Sequence, residues 1–130
     1  MTDYELRKHD IVVGSVSYPV EVLAIKQGES WLFNSDSLNK AQRNLARKLL
    51  IEEKVFNKDL MNFAIDVSGK KAAYIADGVR VTPAQISKAR RTGQIPSPMF
   101  WKMFRIYLIS LLEESQTRRD IDRVILEATG

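Results

Sequence analysis

Lys88, Arg90 and Arg91 stand in one short run with the hydroxyl and amide side chains of Thr82, Gln85 and Ser87, and Lys70 and Lys71 lie a little upstream. Ammonium and guanidinium groups at this density neutralise phosphate oxygens and release their counterions. A helix N-terminus adds free amide N–H groups that favour the same anions. Binding a polyanion is the chemistry this chain is best supplied for. The charge distribution agrees. The net charge of +4 is modest, but no Asp or Glu falls between Asp77 and Glu113. Arg80, Lys88, Arg90, Arg91, Lys102 and Arg105 all lie in that interval, and the rest of the chain carries a small net negative charge. An ordinary solvated face mixes both signs. A clustered patch of one sign is the footprint of phosphate binding.

The residues that would support catalysis are sparse. His9 is the single histidine and sits beside Asp10 in a charged segment, so it reads as a surface residue. There is no cysteine, which excludes disulfides and thiolate metal sites. No Gly-rich phosphate loop and no carboxylate-rich metal cluster is present. Glu52–Glu53 and Glu113–Glu114 are adjacent pairs that point different ways on helices, not an acid and a base across a cleft. The chain is not expected to be an enzyme, and no catalytic residue, metal or cofactor is assigned.

The start, Met1 to Glu5, lacks the basic segment and apolar core of a signal peptide. The most apolar stretch, Ile106 to Leu112, is far shorter than the roughly 20 residues of a membrane span. No membrane partner is expected, and a cytoplasmic location is.

The basic residues need elements to position them. Around Pro83 the sequence writes a helix start with four devices. Thr82 is an N-cap whose hydroxyl can accept the Gln85 N–H, and Gln85 can reach back to the Thr82 N–H, forming a capping box. Pro83 falls at the first helical position, where its missing N–H costs nothing. Val81 and Ile86 are placed for a hydrophobic staple. Gly93 ends this helix. Residues 70–79 form the helix before it, with Ala72, Ala73, Ile75, Ala76 and Val79 along one side. Ala76 is placed where two backbones can cross closely. Steeply crossing helices joined by a three- to four-residue turn form a helix-turn-helix, here at about 70–92.

The remainder divides in two. Residues 10–34 read as β, with β-branched Ile11, Val12, Val13 and Val16, and are broken by Gly14–Ser15 and Gln27–Gly28–Glu29–Ser30, which predicts two or three short strands in an antiparallel hairpin or meander. Pro19 should begin a strand or lie on an edge. From Ser35 the period becomes helical: Ser35 or Asp36 can cap a helix through Leu38, Ala41, Leu45, Leu49 and Leu50 to about Lys54. Asn57 caps a second helix ended by Ser68–Gly69. Ser97–Pro98 repeats the cap-and-proline signal for a long helix, about 98–114. Its apolar residues lie on nearly all sides, so it is expected to be a central core helix or in part a dimer interface. Thr117 with Asp120 can start a last helix containing Ile121, Val124, Ile125 and Ala128. The fold class is α+β, mainly α: a β-rich segment 1–34, then a helical bundle 35–130 that contains the helix-turn-helix.

The run from Ala73 to Lys88 resembles the helix-turn-helix of phage repressor, Cro-like and YdaS-like regulators, and Gln94–Ile95–Pro96 resembles the isoleucine–proline step that often follows it in Cro-like proteins. The resemblance covers about residues 57–112. Two positions depart from it. Arg80 occupies the turn position where the family usually has Gly, so either Arg80 accepts a left-handed backbone or the turn has another shape. Ala89 stands where the family often has tryptophan or another bulky residue.

The resemblance implies a sequence-specific transcriptional regulator, a repressor among other possibilities, that binds double-stranded DNA as a homodimer. It places Pro83, Ala84 and Lys88 against bases: the first two offer apolar contact, and Lys88 can donate to guanine O6 and N7. Thr82, Gln85 and Ser87 fall to phosphates or adjacent edges, Arg90 and Arg91 to phosphates, with Lys70 and Lys71 as further cations. The β-rich segment would help dimerise or hold a protein partner. The alternative is a protein-interaction module, antitoxin-like or adaptor, that keeps the helix-turn-helix fold.

Overall fold

The computed structural model describes residues 3–113; the predicted last helix, with Ile121, Val124 and Ile125, lies outside them. Three strands come first: β1 (Glu5–Val13), β2 (Val16–Gln27) and β3 (Ser30–Phe33), antiparallel in the order β1-β2-β3. Both hairpins close on two residues. Gly14 (φ 64°) and Gly28 (φ 62°) each take the first loop position with positive φ, which suits the twist of antiparallel strands. β1 begins five residues earlier than the onset read from the sequence at residue 10. Its charged first half, Glu5 to Asp10, hides the β pattern.

Pro19 does not begin its strand. It sits within β2 opposite Asp10 of β1. Its tolerance there has a geometric cause. β3 pairs only with Ala24–Gln27, so β2 has no second neighbour at Pro19. The side that lacks an N–H faces that open edge, which is the edge position the sequence required.

One face of the sheet packs on helices. Val22 and Ala24 of β2 are fully buried, and Ile11 and Val13 of β1 belong to the same core as the helices. The opposite face leaves Leu6, Val12 and Leu32 exposed.

Four helices with complete bounds follow: α1 (Ser35–Glu52), α2 (Lys58–Ser68), α3 (Ala72–Val79) and α4 (Pro83–Thr92). A fifth, α5, is described over 100–113. The N-cap of α1 is Asn34, one residue before the expected Ser35 or Asp36; its Oδ1 accepts the Ser37 N–H at 2.9 Å. The strand decides this choice. Asn34 N–H donates to Leu23 O (2.7 Å) and Ser37 Oγ accepts the Leu23 N–H (2.9 Å), so the residues that start the helix also complete the sheet. Asn57 caps α2 by accepting the Leu60 N–H at 3.1 Å, and Gly69 closes it in a left-handed conformation.

α5 begins at 100, not at Pro98. Residues 97–99 form a lead-in turn in which Ser97 O accepts the Phe100 N–H at 3.1 Å. One side of α5 is the spine of the core: Phe104, Leu108 and Leu112 are fully buried, and Trp101 stacks on Phe104 with ring centroids 5.5 Å apart. Complete burial of each such side chain is worth about 1.5–3 kcal/mol. The other side departs from the expectation of a helix buried all round. Met103 (40 %) and Ile106 (61 %), with Met99 (56 %) of the lead-in turn, are exposed among the described residues.

α5 also finishes α1. The last carbonyls of a helix have no partner within it. Arg105 donates to Leu50 O (2.6 Å, from Nε) and Ile51 O (2.9 Å, from Nη2), and Trp101 Nε1–H donates to Glu53 O (3.1 Å). No described helix is long and apolar enough to cross a membrane.

Candidate nucleic-acid interface

α3 and α4 are joined by Arg80, Val81 and Thr82. Ile75, Ala76 and Val79 of α3 and Ile86 and Ala89 of α4 are buried in one core. Small side chains at Ala76 and Ala89 allow the close packing; Ala89, where a bulky residue would suit the resembled family, has no exposed surface. A larger side chain there would have to displace its neighbours.

The turn resolves the Arg80 question. Arg80 accepts the left-handed conformation, with φ 65° and ψ 46°. Its N–H donates to Asp77 O (3.3 Å), and the Val81 N–H donates to Ala76 O (3.0 Å). These two bonds make the Schellman closure of α3, which favours glycine at the left-handed position. An arginine there costs on the order of 1 kcal/mol. The nearby glycine has another use. A Cβ on Gly78 would collide with the Cζ end of the Tyr107 ring, so Gly78 lets α5 approach α3.

The start of α4 is built as the sequence reads. Thr82 Oγ1 accepts the Gln85 N–H (3.1 Å), and Gln85 Oε1 accepts the Thr82 N–H (2.9 Å). Pro83 follows at the first helical position, and both members of the staple pair, Val81 and Ile86, pack on the core. Thr82 and Gln85 are exposed, so the box that starts the helix also lies at the surface.

The far end of α4 is held by α2, which the sequence does not reveal. Arg90 Nη2 meets Asp66 Oδ1 at 2.8 Å and Arg90 Nε donates to Asn62 Oδ1 at 2.9 Å. Asn62 Nδ2 donates in return to Arg90 O, and Lys58 Nζ to Arg91 O, both at 3.2 Å. The guanidinium of Arg90, assigned from sequence to a phosphate, is thus engaged by α2 while partly exposed, and it is paired with the exposed Asp66. Arg105 of the same acid-free interval is likewise engaged, on α1.

What remains at the surface is narrower and better defined. Pro83, Ala84, Ser87, Lys88 and Arg91 are exposed and, at 100° per residue, occupy one side of α4 opposite Ile86 and Ala89. Arg80 is exposed at the entrance to the same helix. The sequence places Arg80 among the cations of the acid-free interval but assigns it no contact; the signal for one is its place two residues before the cap. Lys70 and Lys71 are exposed at the other end of α3, about 12 Å away along an eight-residue helix. Lys70 Nζ lies 4.9 Å from the centre of the Tyr74 ring. Asp77, on α3 beside the turn, is an exposed acid near this face.

No protein-family model, curated protein or solved structure matches the chain.

Proposed function

We propose that this chain binds double-stranded DNA through the exposed side of α4 and acts as a sequence-specific transcriptional regulator, as a homodimer. One observation carries the proposal. α4 is a short helix fixed at its start by a capping box and at its end by α2, and its outward side offers Lys88 and Arg91 with Arg80 at its entrance. A recognition helix has to present its N-terminal residues to a groove without moving. Lys88 would read a base edge, while Arg80 and Arg91 would hold phosphates. Pro83 and Ala84 offer only apolar contact, so specificity would lean on DNA shape and on a second half-site. The resemblance of 57–112 to phage repressor and Cro-like regulators supports the same reading.

Fluorescence polarisation with random and selected duplexes tests it. Lys88→Gln with Arg91→Gln should weaken binding to every duplex and flatten the salt dependence by roughly one log–log unit for each phosphate no longer neutralised. Arg90 is left unchanged in that test because its loss would loosen α4 itself. Affinity that ignores both substitutions, or ignores salt, sinks the proposal.

A protein-interaction module is the second reading, favoured by the exposed Met103 and Ile106 of α5 and Met99 of its lead-in turn. Methionine-rich apolar stripes adapt to partner surfaces. Under this reading Met103→Glu abolishes partner capture and Lys88→Gln leaves it intact.

A further inference from the structure

We infer that the open edge of β1 is a homodimer interface: two copies pair antiparallel through β1 about a two-fold axis at His9, and each sheet continues into the partner's. The inference rests on the homodimer part of the proposed function and is independent of DNA.

Among the described residues β1 has one neighbour, β2. Which of its backbone groups face outward follows from Leu23. The Leu23 N–H donates to Ser37 Oγ and its C=O accepts from Asn34, so both groups point away from β1. The pair Leu6–Leu23 is therefore a non-hydrogen-bonded one. Alternation along the ladder then sets the N–H and C=O of Leu6, Lys8, Asp10 and Val12 on the open edge.

The side chains of those same four residues share the outer face of the sheet and read apolar, cation, anion, apolar. Leu6 is 58 % exposed and Val12 63 %. Antiparallel pairing about His9 sets Lys8 of each copy opposite Asp10 of the other, and Leu6 opposite Val12. Opposite charges and apolar pairs directly across a ladder are favourable, and like charges are unfavourable. The pattern also fixes the register. Sliding the strands by two residues sets Lys8 against Lys8 in one direction and Asp10 against Asp10 in the other. On the inner face Arg7 is occupied within its own chain, with its guanidinium 4.2 Å from the Trp31 ring centre.

The other open edge shows how this chain closes an edge it does not use. The stretch of β2 without β3 carries Pro19, which removes a donor from that edge. β1 has no proline, and its charged pair is complementary to itself.

Sedimentation equilibrium on the full chain without DNA tests the inference. A dimer is expected. Lys8→Asp and Asp10→Lys should each raise its dissociation constant by tenfold or more. The double variant K8D/D10K should restore it. Mixing the two single variants should give a heterodimer, since two acids of one chain then face two bases of the other. Val12→Pro should leave a folded monomer by circular dichroism, because the Val12 N–H bonds nothing within its own chain. A monomer at all concentrations overturns the inference. So does a dimer indifferent to both single charge reversals, or single variants that weaken the dimer but are not rescued by mixing or by the double change. DNA binding measured on the monomeric variants against a single half-site reports separately on α4.

Discussion

Two helices of this chain open with the same written signal, a hydroxyl residue followed by proline, and the signal means different things. At Thr82–Pro83 the helix starts where the signal says; at Ser97–Pro98 it starts two residues later, at 100. The difference lies in the third residue after the cap. Gln85 returns a hydrogen bond to Thr82, whereas Phe100 has no acceptor to return and its N–H bonds the Ser97 carbonyl. A cap without its reciprocal partner permits a helix start but does not locate it. The two helices differ equally in their charges. α4 turns Lys88 and Arg91 outward, while α5 turns Arg105 inward onto α1 and shows solvent an apolar stripe. A sequence interval of uniform charge is therefore not a surface of uniform charge.

The largest effects should fall on α5. Phe104→Ala removes a fully buried ring and should cost about 3–5 kcal/mol in chemical denaturation. Met103→Ala, one position away on the exposed side, should cost under about 0.5 kcal/mol, as surface changes usually do. Comparable losses at both positions would mean that the stripe is covered and that α5 is buried all round after all.

Next in size is the contrast between cations. Arg105→Gln withdraws a charged donor from Leu50 O and Ile51 O and should cost about 1.5–3 kcal/mol. Lys88→Gln should leave the denaturation midpoint unchanged. DNA affinity should show the reverse order: Arg105→Gln little changed at temperatures where it is folded, Lys88→Gln lowered roughly five- to tenfold near 0.1 M salt if the ammonium acts with the strength of one phosphate neutralisation. Equal effects of the two on affinity would erase the distinction between an internal and a presented cation.

That distinction marks what the sequence could and could not tell. The meander, the capping box, the Asn57 cap and the burial of Ala76 and Ile86 were legible because each depends on neighbours within four residues or on the period of one element. The Arg90 site was not. Its partners Asn62 and Asp66 lie 28 and 24 residues away, and Arg105 reaches carbonyls 55 and 54 residues away. No local pattern announces which of several arginines will find a distant acceptor. The Asn34 cap was missed by one residue for a related reason. Asn34, Ser35 and Asp36 are all competent caps, and the choice is made by the Leu23 backbone, 11 residues upstream of Asn34.

Smaller cap effects sharpen the contrast between the two helix starts. Thr82→Ala should destabilise by about 1 kcal/mol, since it removes one half of a formed box. Ser97→Ala should change stability by no more than a few tenths, because the Ser97 carbonyl, not its hydroxyl, receives the Phe100 N–H. A full-sized loss at Ser97 would show that its hydroxyl caps α5 and that the two signals are equivalent.

Arg80 separates stability from binding most cleanly, because the two should move in opposite directions. Its left-handed backbone disfavours a side chain, so Arg80→Gly should raise stability by up to about 1 kcal/mol, less what glycine adds to the freedom of the unfolded chain. Arg80→Asn tolerates the same conformation and should be near neutral. Both remove the charge at the entrance to α4, and both should lower DNA affinity by a similar factor. Strain retained at one residue is intelligible if that residue's charge is needed where the backbone puts it. Should Arg80→Gly stabilise the protein and leave DNA affinity and its salt slope untouched, the arginine at the turn would have no part in binding, and the presented cations of this face would reduce to Lys88 and Arg91.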